Sequence, residues 1–282
     1  MLVIPPSIVL DPLLSMWLRE DIGRGDRTTD GLLTQDLGSG EWVAKTTGVI
    51  AGLPIAARVF QLLNSGTTLT SLVEEGEIAQ TGQTIAQIKG PLNALLTGER
   101  VALNLAMRLS GIATMTRQYS DIIADLPTQF VDTRKTTPGL RILEKYASWV
   151  GGAINHRMGL DDGVMIKDNH IKAARSIEDA IKRIRETTPY PLTIEVETTT
   201  FQEVVEALKY GADIIMLDNM AIDIMKQAVI MIRNQDERVK IEASGNITLD
   251  RIQEVAETGV DYISSSAPIT QSKWLDLSMK ID

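Results

Sequence analysis

Cysteine is absent from the 282-residue sequence, which excludes disulfides, thiolate nucleophiles, cysteine zinc sites and cysteine-ligated iron–sulfur clusters. Histidine is scarce: His156 and His170 are the only two, so a His-ligated zinc would lack a third ligand of either kind. No apolar run reaches the roughly 18 residues of a membrane helix. The opening stretch MLVIPPSIVLDPLL lacks the basic region and small-residue cleavage site of a signal peptide. A cytoplasmic protein with no membrane association is therefore expected. A basic excess is missing too: the formal charge of -9 argues against broad nucleic-acid binding. Neither a GxGxxG nor a Walker pattern occurs, so dinucleotide and P-loop nucleotide binding have no support.

The remaining composition, 44% hydrophobic and 23% charged, suits a globular chain long enough to bury a sizeable core. Charge is unevenly spread. From Arg134 to Arg175, eight Lys or Arg (134, 135, 141, 145, 157, 167, 172, 175) stand against four Asp or Glu (144, 161, 162, 168). A basic segment inside an acidic protein suits a small, highly anionic ligand. A solvated helix face is the ordinary explanation of a charge run, and it is the expectation for Arg141, Lys145 and Arg175.

From about residue 128 onward, short Val- and Ile-rich runs alternate with amphipathic segments, which predicts repeated βα units and a parallel sheet. The expected strands are FVD at 130, VMIKD at 164, LTIEVE at 192, DIIMLDN at 213, VKIEASG at 239 and VDYISSS at 260, with a seventh near GGAIN at 151. Between them, Ser176 and Thr200 read as helix N-caps, and Gly211 and Gly259 as helix ends. A (β/α) barrel and a doubly wound sheet both fit. The first hundred or so residues, with Gly-punctuated stretches such as WVAKTTGVIAG and GQTIAQIKG, read as a separate α+β domain. The segment LTGERVALNLAMRLSGIAT reads as a helix on which Arg100, Asn104 and Arg108 share one face.

Parallel barrels bind ligands at the carboxyl ends of their strands, and nearly every apolar run here ends in a polar residue. Arg134 and Lys135 follow FVDT, Lys167 and Asp168 follow VMI, Glu197 ends IEVE, Asp218 ends IIMLD, Ser244 and Gly245 follow KIEA, and Ser264 to Ser266 close VDYI. Helix capping or solvation explains any one of these, and six in series poorly. Several cations with two carboxylates suit a polyanionic substrate and a divalent metal: Arg forks onto carboxylate or phosphate, Lys offers a point charge, and Glu with Asp can anchor Mg²⁺ on pyrophosphate. His156 and His170 are as readily structural hydrogen-bond partners as catalysts.

At EDIGRGDRTTD (20–30), GERVALNLAMRLSGIAT (98–114), VDTRKTTPG (131–139), NHRMGL (155–160), VMIKDNH (164–170), IEVET (194–198) and IIMLDN (214–219), the sequence resembles the quinolinate phosphoribosyltransferase family. The resemblance implies an α/β protein with an N-terminal α+β sandwich domain (1–112), an incomplete seven-stranded α/β barrel (113–269) and a tail (270–282) that packs back on the first domain. It implies a homodimer, or a higher oligomer, with shared active sites. Carried over by motif, Arg134, Lys135, His156, Arg157 and Lys167 would line the anionic pocket, with Arg100 entering from the other subunit to hold a quinolinate carboxylate. Glu197 and Asp218 would sit by Mg²⁺ and the ribose of phosphoribosyl pyrophosphate, ligating the metal directly or through water. Ser244, Gly245 and Asn246, then Ser264 and Ser265, would face the 5-phosphate. Lys135, Lys167, Glu197 and Asp218 would be the catalytic set. The family usually has a Gly in the last phosphate loop where Ser264-Ser265-Ser266 stands here, and Gln271 stands in place of a His common a little later in the family.

The implied reaction is phosphoribosyl transfer to quinolinate with loss of CO₂, giving nicotinate mononucleotide and pyrophosphate in NAD biosynthesis. Three rival readings share the scaffold: a phosphoribosyltransferase for another acceptor such as nicotinate, an aldolase-type barrel using Lys167 as a Schiff-base amine, and an oxyanion-binding protein.

Overall fold

The computed structural model describes residues 4–33 and 36–282. In chain order its elements are α1 (Ser7–Ile22), α2 (Arg27–Leu32), β1 (Leu37–Ala44), β2 (Gly48–Val49), α3 (Leu53–Leu63), β3 (Thr68–Ser71), β4 (Ile78–Ala79), β5 (Thr84–Pro91) and α4 (Leu92–Ile122). Then come β6 (Gln129–Val131), α5 (Arg141–Val150), β7 (Val164–Ile166), α6 (Asp168–Ala174), α7 (Ile177–Thr187), β8 (Ile194–Thr198) and α8 (Phe201–Lys209). The chain continues with β9 (Ile214–Asp218), α9 (Ile222–Gln235), β10 (Lys240–Ser244), α10 (Ile252–Ala256), β11 (Tyr262–Ser264), α11 (Ala267–Thr270) and β12 (Leu277–Ile281).

The chain divides into two compact units: one takes the residues up to Arg117, Thr137–Gly152 and Gln271–Asp282, the other Gln118–Thr136 and Ala153–Thr270. This division differs from the expected one, because α5, placed by the sequence inside the barrel segment 113–269, packs with the first unit. Its Glu144, fully buried, accepts from Arg108 Nη2 at 2.8 Å, and Tyr146 donates its hydroxyl to Glu75 at 2.7 Å. Lys145 of the same helix is 0% exposed, so the solvated-face reading fails for it; α5 buries one continuous stretch from Leu143 to Ser148.

The first unit holds a four-stranded antiparallel sheet in the order β12-β1-β5-β3. Alternation along β1 buries Gly40, Trp42 and Ala44, as a half-buried strand requires. Trp42 meets Phe60 of α3 edge-on at 6.2 Å, an arrangement that aromatic quadrupoles favour. The segment 271–282 lies on this unit: β12 pairs with β1, and Leu275 donates its N–H to Met107 of α4. Gly111 permits that approach, since a Cβ there would sit 2.0 Å from the Lys273 carbonyl oxygen.

The second unit is built on a parallel sheet in the order β6-β11-β10-β9-β8-β7. The strands follow chain order around the sheet, and the last of them, β11, pairs back onto β6, so the sheet wraps toward closure. All six expected strands are present. The seventh, expected near residue 151, is reduced to one parallel bridge, Val131 to Ile154. No ladder joins that bridge to β7 among the described residues, which leaves the barrel incomplete at this seam. Helix signals hold as well. Ser176 accepts from Asp179 N–H at 3.0 Å, Thr200 and Glu203 form a reciprocal capping box, and Gly211 and Gly259 take left-handed φ values of 82° and 89° beyond α8 and α10.

Each barrel strand has two unlike sides. Ile194, Val196, Ile215, Leu217, Ile241, Ala243 and Ile263 are fully buried; burying each larger aliphatic contributes about 1.5–3 kcal/mol. The residues between them are Glu195, Glu197, Met216, Asp218, Glu242, Ser244, Tyr262 and Ser264. Ladder register, Glu197 with Met216, Glu242 with Met216, Ser244 with Asp218 and Glu242 with Tyr262, puts this second set on one side of the sheet. That side is concave, because Glu195 on β8 and Glu242 on β10 both reach His156 across the sheet, beyond the β6 edge.

Candidate active site

The concave side and the loops following its strands collect the predicted residues. Lys167 is the residue before α6, where its N–H donates to His170 Nδ1 at 3.0 Å; His170 is thus a helix-capping partner. The Lys167 ammonium pairs with Glu197 Oε2. Lys167 keeps 45% of its side chain exposed against 16% for Glu197, so this cation rides at the barrel mouth and remains within reach of a ligand.

Arg157 donates from Nη1 to the Gly163 carbonyl at 2.7 Å. Burial, then the nearby Arg134 guanidinium, holds its pKa below the ordinary guanidinium value, against the opposing pull of Glu195 and Asp162. Arg134 Nε is buried and has no hydrogen-bond partner among the described residues. Two neighbouring guanidinium groups, one with an unsatisfied buried donor, form an arrangement that an anion would complete. Lys135 is exposed on the same loop, its N–H bonded to Thr133 Oγ1.

Asp218 ends β9, and its Oδ2 accepts from Asn219 Nδ2 at 3.0 Å. Asn219 in turn accepts at Oδ1 from Asn246 Nδ2 at 2.8 Å and donates its N–H to the Ser244 carbonyl at 2.9 Å. The loops after β9 and β10 are thereby tied into one network. Its tightness demands unusual backbone: Asn219, Gly245 and Asn246 have φ of 54°, 91° and 50°. At Gly245 a Cβ would lie 2.4 Å from Asn219 Cγ, so this position requires glycine twice over. Ser264 is buried and donates to Ser244 Oγ at 3.2 Å. Ser265 accepts from Ala267 N–H at 3.2 Å, so its hydroxyl caps the following turn.

Below the mouth lies a group that strand-end reasoning missed. His156 Nε2 is 3.1 Å from Glu195 Oε2 and 3.6 Å from Glu242 Oε2. Both carboxylates are almost wholly buried, and in each Oε1 has no hydrogen-bond partner among the described residues. Burial, then the adjacent Glu195, raises the Glu242 carboxyl to about 7, opposed by His156, Ser264 and Lys167. The signal available in the sequence was period two: Glu195 precedes Glu197 by one strand repeat, and Glu242 precedes Ser244 likewise. Asp132, also missed, accepts from Asn155 Nδ2 at 2.7 Å and from His156 N–H at 2.9 Å.

Arg100 belongs to the first unit, exposed on α4. Arg108 on the same face serves the α5 ion pair already described.

This chain matches the domains described as "Quinolinate phosphoribosyl transferase, N-terminal domain" over residues 26–110 and "Quinolinate phosphoribosyl transferase, C-terminal domain" over residues 112–280. It is 60% identical over 281 residues to the probable nicotinate-nucleotide pyrophosphorylase [carboxylating] of Synechocystis sp., covering 100% of this chain and 95% of that protein. Its counterpart in Bacillus subtilis is 44% identical, over 96% of this chain and 93% of that one. Among solved structures, NadC from Streptococcus pyogenes superposes with a TM-score of 0.94 at 39% identity, covering 99% of each chain. With both domains matched in order along nearly the whole sequence, the chain belongs to the quinolinate phosphoribosyltransferase family.

Proposed function

We infer that this chain transfers the phosphoribosyl group of phosphoribosyl pyrophosphate to quinolinate with decarboxylation, giving nicotinate mononucleotide, pyrophosphate and CO₂ in NAD biosynthesis. The names of its relatives support the activity. The observation that carries the reading at the site is the Arg134–Arg157 pair with its unpartnered buried Nε, on the same barrel unit as the Lys167–Glu197 ion pair. A polyanionic substrate with adjacent carboxylates supplies what these donors lack.

In the reaction the pyridine nitrogen lone pair forms the bond to ribose C1 as the C1–O bond breaks, and that bonding pair leaves with pyrophosphate. The bond from C2 to its carboxylate then cleaves, CO₂ departs, and the electron pair left at C2, stabilised by the adjacent pyridinium, takes up a proton. Arg134, Lys135 and Arg157 hold the carboxylates, with Arg100 of a second subunit, and His156 lines the wall. Lys167 faces the departing pyrophosphate. Ser244, Gly245, Asn246, Ser264 and Ser265 face the 5-phosphate.

Glu197 and Asp218 fit a divalent cation. They are oxygen donors on the concave face of adjacent strands, and Mg²⁺ commonly takes one or two carboxylates together with waters and substrate phosphate oxygens. When bound, Mg²⁺ would neutralise charge on the pyrophosphate. We place the chain as a cytoplasmic homodimer, or higher oligomer, with shared sites.

The test is a coupled assay for pyrophosphate and CO₂ with quinolinate, phosphoribosyl pyrophosphate and Mg²⁺. Stoichiometric release of both is expected. Pyrophosphate without CO₂, or oxyanion binding without turnover, would displace this reading in favour of another acceptor or a binding role.

A further inference from the structure

Among the described residues, His156, Glu195 and Glu242 form one group whose donor atoms lie within 4.8 Å of one another, close enough to hold a metal ion. The hydrogen bonds decide against that use. Arg157 N–H donates to His156 Nδ1 at 2.7 Å, so Nδ1 presents its lone pair. A neutral imidazole then carries its one hydrogen on Nε2, and that nitrogen has no lone pair to offer a metal. It has a hydrogen to donate, and Glu195 Oε2 stands 3.1 Å away to receive it.

The ring therefore links two otherwise separate features. On one side is a carboxylate nearly sealed inside the barrel, on the other the backbone amide of the arginine in the anion pocket. Asp132 fixes a third point by accepting from His156 N–H. Glu195 also acts on Arg157 directly, since its charge favours the charged guanidinium against the repulsion of Arg134.

We propose that Glu195 is a positioning residue for quinolinate binding, holding His156 as the Nε2–H tautomer so that the ring receives the Arg157 amide and sets Arg157 in the anion pocket. Glu242 Oε2 lies 3.6 Å from the same nitrogen, a second buried carboxylate beside the ring. The proposal rests on the functional reading above for the identity of the ligand, and on the ring geometry for the rest.

The chain's histidine scarcity makes the test direct. With [¹⁵N]histidine labelling, a long-range proton–nitrogen spectrum contains two imidazoles, and His170→Asn identifies the remaining one as His156. The expected spectrum shows a single neutral tautomer with hydrogen on Nε2. Glu195→Gln keeps an acceptor oxygen and should keep that signature, whereas Glu195→Leu should lose it. The quinolinate KM should rise about tenfold in Glu195→Leu, the loss expected for one misplaced charge-assisted bond, and much less in Glu195→Gln. The KM for phosphoribosyl pyrophosphate should stay within about threefold of wild type in both, less than one such bond. An imidazolium or an Nδ1–H tautomer in the wild-type spectrum would overturn the proposal, as would a folded Glu195→Leu enzyme with wild-type quinolinate KM. Should the leucine variant not fold, the wild-type spectrum still decides. A protein that binds no quinolinate overturns the substrate assignment, while the tautomer stands or falls on the spectrum alone.

Discussion

Arg134 and Arg157 bring two guanidinium groups together in a partly buried pocket, where their mutual repulsion is relieved only by counter-charge. A substrate with two carboxylates gains from both, and removing one cation costs roughly 1.5–3 kcal/mol of binding. Arg157→Ala and Lys135→Ala should each weaken quinolinate binding by that amount while changing Tm little; unchanged affinity by titration in both would remove them from the pocket. Glu197→Gln and Asp218→Asn should lower turnover and raise the Mg²⁺ concentration needed for half activity, with quinolinate affinity nearly intact. A wild-type metal response in both variants would withdraw the metal assignment. Glu242 supports a pH prediction. Its folded value of about 7 lies above the ordinary 4.5, so the folded state binds more protons between those values. The stabilisation is complete below about 4.5 and is lost as pH rises through about 7. Tm should therefore fall over that interval more in wild type than in Glu242→Gln, and superimposable profiles would place the proton elsewhere. His156, Glu195, Lys167 and Ser264 also face this carboxyl, and their contributions remain in the variant.

At the scale of elements, the loops after β9 and β10 behave as one piece because Asn219 touches both. Gly245→Ala forces a Cβ into Asn219 and a side chain into a left-handed backbone, a strain of roughly 1–3 kcal/mol. Lower Tm and a raised KM for phosphoribosyl pyrophosphate, more than for quinolinate, are expected. A variant with wild-type values for all three would show that this loop neither is constrained nor contacts the phosphoribosyl group. Elements of this kind were partly legible in the sequence. Strand ends such as Lys167, Glu197 and Asp218 stood out because a polar residue interrupts an apolar run just where barrels present ligands. Glu195 and Glu242 did not, since a carboxylate inside a strand gains meaning only once curvature makes one side concave. The burial of Lys145 was hidden for a related reason: whether a charged helix face meets solvent depends on which unit the helix joins, and no local pattern around α5 encodes that.

At the scale of the molecule, Arg100 belongs to the first unit and the barrel cations to the second, and the proposed shared-site dimer would put Arg100 of one subunit into the site of the other. Arg100→Ala and Lys167→Ala homodimers should each be nearly inactive. In a doubly tagged heterodimer of the two, one site collects both lesions and the other neither, so about half the wild-type activity should return if sites act independently. A correctly assembled heterodimer as inactive as its parents would show that Arg100 works within its own chain or not at all.

The pairing of β12 with β1 sets an order for biosynthesis. During translation β1 emerges early, yet its neighbour on one side, running from Leu277 opposite Ala44 to Ile281 opposite Gly40, emerges only after the entire barrel. The β1 edge is thus an open template for other chains throughout synthesis of the second unit. The barrel, whose strands all lie between residues 129 and 264, has its full sheet available first. A chain truncated shortly after β11 should accordingly carry a protease-resistant barrel attached to a first unit that is still protease-sensitive, and extending it through Ile281 should be what seals that unit.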